Sequence, residues 1–208
     1  MKMHMRKHLT TVSLVMAVLI ISAGCGGAVK YPNYYTLHVP PPPDPPTPEN
    51  IHATLAIREF RSPVYLRQGA IVYKTSPDQI GFYDYHRWAV DPREFLTNAV
   101  ADRLRASGNF SQVKVYDGRP DFDYVLSGRI EELEEIDYEG GIKVQVAISA
   151  QMVSVATGAT VWTNSVSEVG TVSRRDVTAV VSAMNGTMGR AIEKLLSPAP
   201  TAISIKPN

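Results

Sequence analysis

Cysteine is all but missing from this chain: Cys25 is the only one in 208 residues. No intrachain disulfide can therefore form, even in an oxidising compartment, and cysteine nucleophiles and thiolate metal sites drop out of consideration. Charge of one sign is lacking as well. The 21 basic and 20 acidic residues give a net charge of +1, with no concentrated basic face of the kind nucleic-acid binding needs. Catalytic signatures are absent: there is no GxSxG elbow, no HExxH zinc site and no phosphate-cradling Gly-rich loop. His38, His52 and His86 stand alone in sequence, so no nucleophile–base pair can be read from spacing. Catalytic, metal and cofactor sites are thus all expected to be none. Long apolar runs are scarce too. Beyond the first 24 residues none approaches the ~18 apolar positions of a membrane-spanning helix.

What the chain does have begins at its start. Lys2, Arg6 and Lys7 precede an uncharged apolar stretch from Val12 to Ile21, and Ser22, Ala23 and Gly24 lead into Cys25. This is the three-part layout of an export signal, and its apolar part is too short to cross a ~30 Å hydrocarbon core. Ala23-Gly24-Cys25 resembles the end of a bacterial lipoprotein signal, in which the cysteine is acylated and becomes the mature N-terminus. Ser22 departs from the usual Leu. Gly26 replaces the Asp that commonly marks inner-membrane retention, which points to an outer-membrane anchor facing the periplasm. The competing reading is an ordinary signal peptide with an incidental cysteine. Removing residues 1–24 leaves 18 basic against 20 acidic residues, a net charge near −2.

Residues 25–33 read as a tether, 34–196 as one folded domain and 197–208 as a flexible tail. Tyr34 to Val39 has strand composition. Seven prolines then occupy the nine positions 40–48, either a stiff polyproline II spacer or a long loop inside the domain with Tyr34–Val39 joined to the sheet. Ala53–Phe60 and Ala70–Thr75 follow as strands. Gln79–Trp88 is a third extended run with rings on both faces. Asp91-Pro92-Arg93-Glu94 opens a helix as a capping box, Val90 and Phe95 form a staple, and Gly108 closes the segment.

Gln112–Tyr116 and Asp123–Ile130 are strands, with a bulge expected near Glu131-Glu132 because Leu133 falls out of phase. The acidic group Glu131, Glu132, Glu134, Glu135 and Asp137 reads as a solvated strand end. Gly140-Gly141 and Thr157-Gly158 turn the chain into a three-stranded meander over 123–169. A last helix opens at Ser173-Arg174-Arg175-Asp176, with an apolar stripe of Val177, Val181, Met184, Met188, Ala191 and Leu195. Gly186 and Gly189 inside it imply either a bend near Asn185-Gly186 or a close neighbouring backbone. Ala183 and Gly186 are the candidate contact for a second subunit. The expected class is α+β, a mostly antiparallel sheet with two helices packed on one face.

Three segments carry a family resemblance: Ser62-Pro63-Val64-Tyr65-Leu66, Ile71-Val72-Tyr73-Lys74-Thr75-Ser76-Pro77 and Ile80-Gly81-Phe82-Tyr83-Asp84-Tyr85-His86-Arg87-Trp88-Ala89. Together with Tyr35-Thr36-Leu37 and the Thr157-Gly158…Val161-Trp162 hairpin, they are similar to the ABC-type transport auxiliary lipoproteins, the PqiC-like (YmbA-like) group. The resemblance implies a non-enzymatic outer-membrane docking component. It would work beside an MCE-type protein and ABC-transporter parts that move lipid between the membranes, and the resemblance also implies a homo-oligomer. Lipidation, palmitate included, falls on Cys25.

Tyr83, Tyr85, Arg87 and Trp88 form the candidate partner site, since Tyr, Trp and Arg bury large area at interfaces with little entropy loss. The simpler reading is that Trp88, Phe82 and Ile80 pack beneath the first helix. His86 is the one histidine placed to be catalytic, and a structural role fits it as well. Competing functions are a periplasmic lipoprotein that itself binds a lipid or other apolar ligand, an envelope hydrolase, and a purely structural lipoprotein.

Overall fold

The computed structural model describes residues 29–42, 53–119, 121–138 and 140–197. Cys25, the leader before it, positions 43–48 of the proline run and the tail from 198 onward lie outside the described residues. The chain divides into two compact units, 1–31 and 32–208, and the second holds the described strands and helices.

Among the described residues there are eight strands and two α-helices, in the α+β class expected. The strands are β1 (Asn33–Tyr35), β2 (Thr54–Ile57), β3 (Ala70–Ser76), β4 (Gln79–Trp88), β5 (Gln112–Val115), β6 (Tyr124–Ile136), β7 (Lys143–Ser154) and β8 (Thr160–Thr171). Helix α1 (Pro92–Ala106) lies between β4 and β5, and helix α2 (Val177–Leu196) closes the described chain. The long ladders β6–β7, β7–β8 and β3–β4 are antiparallel, and the short β1–β4, β2–β5, β2–β6 and β3–β6 ladders are parallel.

Strand β6 organises the sheet. One of its edges pairs with β7 throughout, while the other is shared, first by β2 and then, at Glu135 and Ile136, by β3. Between them residues 58–61 run along β6 through the hydrogen bonds Arg58 N–H to Leu126 O (2.8 Å) and Arg61 N–H to Gly128 O (2.9 Å). The register of β6 against β7 shifts between Ile130 and Glu132. That is where the sequence pattern places a bulge, and it returns Leu133 to the buried face beside Val146.

Alternation on β7 drives the core. Val144, Val146, Ile148, Ala150 and Met152 are buried, as are Met184, Met188, Ile192 and Leu195 of α2, in one cluster with Leu96, Val100 and Leu104 of α1. Asp91 caps α1 by accepting from the Arg93 N–H at 2.9 Å. The side chain that folds back on Asp91 is Arg93, whose Nη2 lies 2.6 Å away, where the sequence pattern assigns that part to Glu94. Thr97 fixes the helix laterally: its hydroxyl donates to Arg93 O (2.7 Å) and accepts from the Phe60 N–H (3.0 Å).

Four expectations are corrected. Helix α2 starts later than Ser173 suggests, because Asp176 is its cap and accepts from the Ala179 N–H at 2.8 Å. The helix runs unbroken through Asn185-Gly186, and the space around Gly186 is open apart from the Arg190 side chain. Within the chain a close approach to this helix occurs at Gly170 of β8, where a Cβ would collide with the Thr187 hydroxyl. The acidic segment is not a solvated strand end: Glu134 is 0% and Glu135 3% exposed. Of the three side chains expected beneath the first helix, Ile80 is 37% exposed while Trp88 is buried.

The open choice over the proline run is decided in part. Tyr34 pairs with Arg87 and Tyr35 with Trp88 across β1–β4, so the segment before the prolines belongs to the domain. Residues 36–42 then leave the sheet as a strap. Leu37 is buried, the Asn185 side chain on α2 accepts from the His38 N–H (3.0 Å), and Arg103 on α1 donates to Pro40 O (3.0 Å).

Candidate functional site

The aromatic strand β4 lies between β1 and β3, and its ladder is irregular. Val72 faces Phe82 but Ala70 faces Arg87, so five steps along β4 pass two along β3. The four residues between them, Tyr83-Asp84-Tyr85-His86, stand against the single Ile71 of β3 and bulge out of the ladder, and bulges re-aim side chains in this way.

Inward from the bulge runs a network of rings. The Tyr83 hydroxyl donates to Glu135 Oε2 at 2.8 Å. The Tyr83 ring lies 5.0 Å from Tyr73 and 5.6 Å from His86, the latter edge-on. His86 Nδ1 is hydrogen-bonded to the Tyr35 hydroxyl at 2.9 Å, which ties the edge strand β1 to the bulge. The Tyr73 ring lies against Gly81, where a Cβ would collide with it. Burial and then the Glu135 hydrogen bond push the Tyr83 phenol well above its ordinary value. Glu135 is itself raised, first by burial and also by Asp137, against the Tyr83 hydrogen bond and Arg175.

On the opposite face of the sheet Glu134 meets a cation. Lys74 Nζ lies 2.6 Å from its Oε1, and that contact raises the Lys74 ammonium against the opposing effect of burial. The Tyr65 hydroxyl approaches the other carboxylate oxygen at 3.5 Å. Adjacent carboxylates on an alternating strand thus serve two faces, each with its own partner.

The four candidate partner residues are therefore placed differently. Trp88 is in the core, and its backbone N–H donates to Gly69 O at 2.7 Å. Tyr83 is half-buried and held by Glu135. Arg87 is half-buried, with Nη1 donating to Gln68 O at 3.2 Å. Tyr85 is 43% exposed at the tip of the bulge. On α2, Gly186 is exposed and Ala183 half-buried. Cys25 lies outside the described residues.

Sequence reading missed Glu134 and Glu135 as buried anchors. The available signal was their position after the bulge, where one of any two neighbours must face the core. It was outweighed by the run of five acids in seven positions, which favours solvation when taken residue by residue. Among the described residues no group of three or more His, Cys, Asp or Glu is placed to hold a metal ion, and no helix is long and apolar enough to cross a membrane.

A protein from Xanthomonas campestris has the same fold, with a TM-score of 0.71 at 16% identity over 82% of this chain and 96% of its own. A hypothetical protein from Chlamydia trachomatis aligns with a TM-score of 0.53 at 7% identity, over 74% of this chain and 99% of its own. No curated protein matches the chain in sequence. The family model of the ABC-type transport auxiliary lipoprotein component matches residues 35–195, from the last residue of β1 almost to the end of α2, and the chain belongs to that family.

Proposed function

We propose that this chain is the lipid-anchored, periplasm-facing outer-membrane component of an MCE/ABC-type intermembrane lipid transport system. In it the domain acts as a docking subunit and not as an enzyme. Cys25 carries the acyl chains, and each buried methylene adds about 0.8 kcal/mol, so several chains on one residue hold a protein at a bilayer. The eight residue steps from Cys25 to Asn33 span at most about 28 Å. The anchor therefore keeps β1, and the β4 bulge beside it, close to the membrane surface.

The observation that carries this reading is the β4 bulge within a chain of this family. Tyr85 stands at the surface with half-buried Arg87 beside it, on a base made rigid by Trp88, Tyr83 and His86. A rigid base suits an anchor residue because little conformational freedom is lost on binding. The MCE protein, or a transporter part bound to it, is the partner assigned to this surface. On α2, half-buried Ala183 and exposed Gly186 are assigned to contact between copies in a homo-oligomer. The His86 ring is engaged by a phenol and packed against Tyr83, an arrangement that serves the base of the bulge. The alternative of a lipid carrier draws little support from the groove between the strap and α1, since its volume of about 240 Å3 falls below the ~300–1,000 Å3 of ordinary ligand pockets.

Tyr85→Ala and Arg87→Ala test the docking surface. Each is expected to weaken capture of the MCE protein from solubilised membranes while moving the unfolding midpoint little, as surface substitutions do. Normal capture by both variants would show the surface to be wrongly assigned.

A further inference from the structure

The face of β6, β7 and β8 turned away from the helices carries an open groove of about 490 Å3. Its floor is made of small residues, among them Ser127, Ser149 and Thr163, and three arginines, Arg58, Arg61 and Arg129, line it. Arg129 pairs with Ser149 and Ser127 with Gln151 across β6–β7. These positions alternate with buried Leu126, Ile130, Ile148 and Met152, which fixes the groove on the outer face.

The charges here are arranged at a cost. Arg61 and Arg129 face each other in an isolated parallel bridge, and like charges opposed across strands destabilise a sheet. Arg129 is compensated, with Nε 2.9 Å from Glu131 Oε2, and Ser149 donates to the other oxygen of Glu131 at 2.7 Å. Glu59, the acid that lines the groove, is drawn toward Arg93 at 3.7 Å. Arg58 lies over the Tyr116 ring at 5.2 Å from its centroid, which fixes the guanidinium without cancelling its charge. Arg61 has no ion-pair partner among the described residues. Two guanidinium groups, Arg58 and Arg61, therefore remain uncompensated beside a hydroxyl-bearing floor.

We infer that this groove binds a phosphate-bearing anion of phospholipid-headgroup size. Guanidinium forks match phosphate oxygens in pairs, and the hydroxyl of Ser127 supplies a further donor, that of Thr163 being given to Ala150 O at 3.4 Å. A planar carboxylate would occupy one fork, whereas a tetrahedral phosphate presents oxygens to both and to the floor. The groove volume also lies within the range that encloses a small ligand. Occupancy would relieve the Arg61–Arg129 opposition, so ligand binding and sheet stability are coupled at this point. The anion can be membrane-borne, as a lipid headgroup, or free, as a phosphate ester; both present the same group to the arginines.

The test uses the full chain in non-ionic detergent at low ionic strength, probed with glycerophosphoglycerol and with micelles doped with phosphatidylglycerol or phosphatidylcholine. Wild type is expected to gain thermal stability with the soluble ester or with phosphatidylglycerol. A response to phosphatidylglycerol alone identifies a lipid source, and one to the ester alone a free source. The double variant R58Q/R61Q is expected to melt no lower than wild type without ligand, and to bind at least about tenfold more weakly, as loss of a charge-assisted pair implies. R61Q alone serves if the double variant fails to fold, and R119Q, away from the groove, should behave as wild type. No response to either probe would overturn the inference, as would an equal loss in R119Q.

Discussion

Removing the Lys74 ammonium would leave Glu134 enclosed with a charge and no counter-ion. Breaking one side of a buried pair costs about 3–5 kcal/mol, whereas replacing both partners by apolar residues of similar volume is often neutral. Lys74→Ala is therefore expected to lower stability by about 3 kcal/mol in a denaturant titration, and K74M/E134L to recover most of that loss. Glu135 makes a separate, pH-dependent prediction. Its carboxyl is raised above the usual value by burial, so the folded chain keeps this proton to higher pH than the unfolded chain. Its contribution to stability is complete below the unfolded value and is lost as pH rises through the folded one. Glu135→Gln keeps an acceptor for the Tyr83 hydroxyl and removes the charge. Its melting temperature relative to wild type should climb as pH rises above the ordinary carboxylate value, the side on which the buried charge develops. A flat difference would show that the buried charge costs nothing.

At the scale of elements, periodicity and punctuation were legible. The helical spacing after Asp91 and the alternation from Val144 to Met152 depend only on neighbours in sequence, and both elements formed where they point. The Leu133 phase slip disclosed the bulge for the same reason. What was not legible depended on partners far along the chain. Nothing local distinguishes Ser173 from Asp176 as a cap, because both begin polar runs ahead of an apolar stripe. The structure chooses Asp176, so Asp176→Ala should cost about 1 kcal/mol in thermal unfolding and Ser173→Ala close to nothing. Equal losses would contradict the cap assignment. The strap illustrates the same limit: Asn185 reads as a helix weakness in sequence, yet its side chain holds His38, 147 positions away. The fold of Glu134 and Glu135 into two separate networks was hidden likewise, since Lys74 and Tyr83 reach them only once β3, β4 and β6 are side by side.

At the scale of the whole molecule, the aromatic block in β4 was visible as an unusual composition but not as a bulge. Sequence placed Tyr83, Tyr85, Arg87 and Trp88 together; the structure divides them into a buried base and a surface tip. Their division gives the docking proposal its mechanical sense, because the tip is held by groups that a partner need not touch. The anchor and the partner are best tested in one measurement: affinity isolation of the full-length chain from outer-membrane fractions, with identification of what is retained. Recovery in the outer membrane with a fatty-acylated Cys25 and an MCE protein bound, the latter lost in Y85A/R87A, is the expected result. A chain recovered soluble and unacylated, or acylated with no transport protein attached, would contradict it.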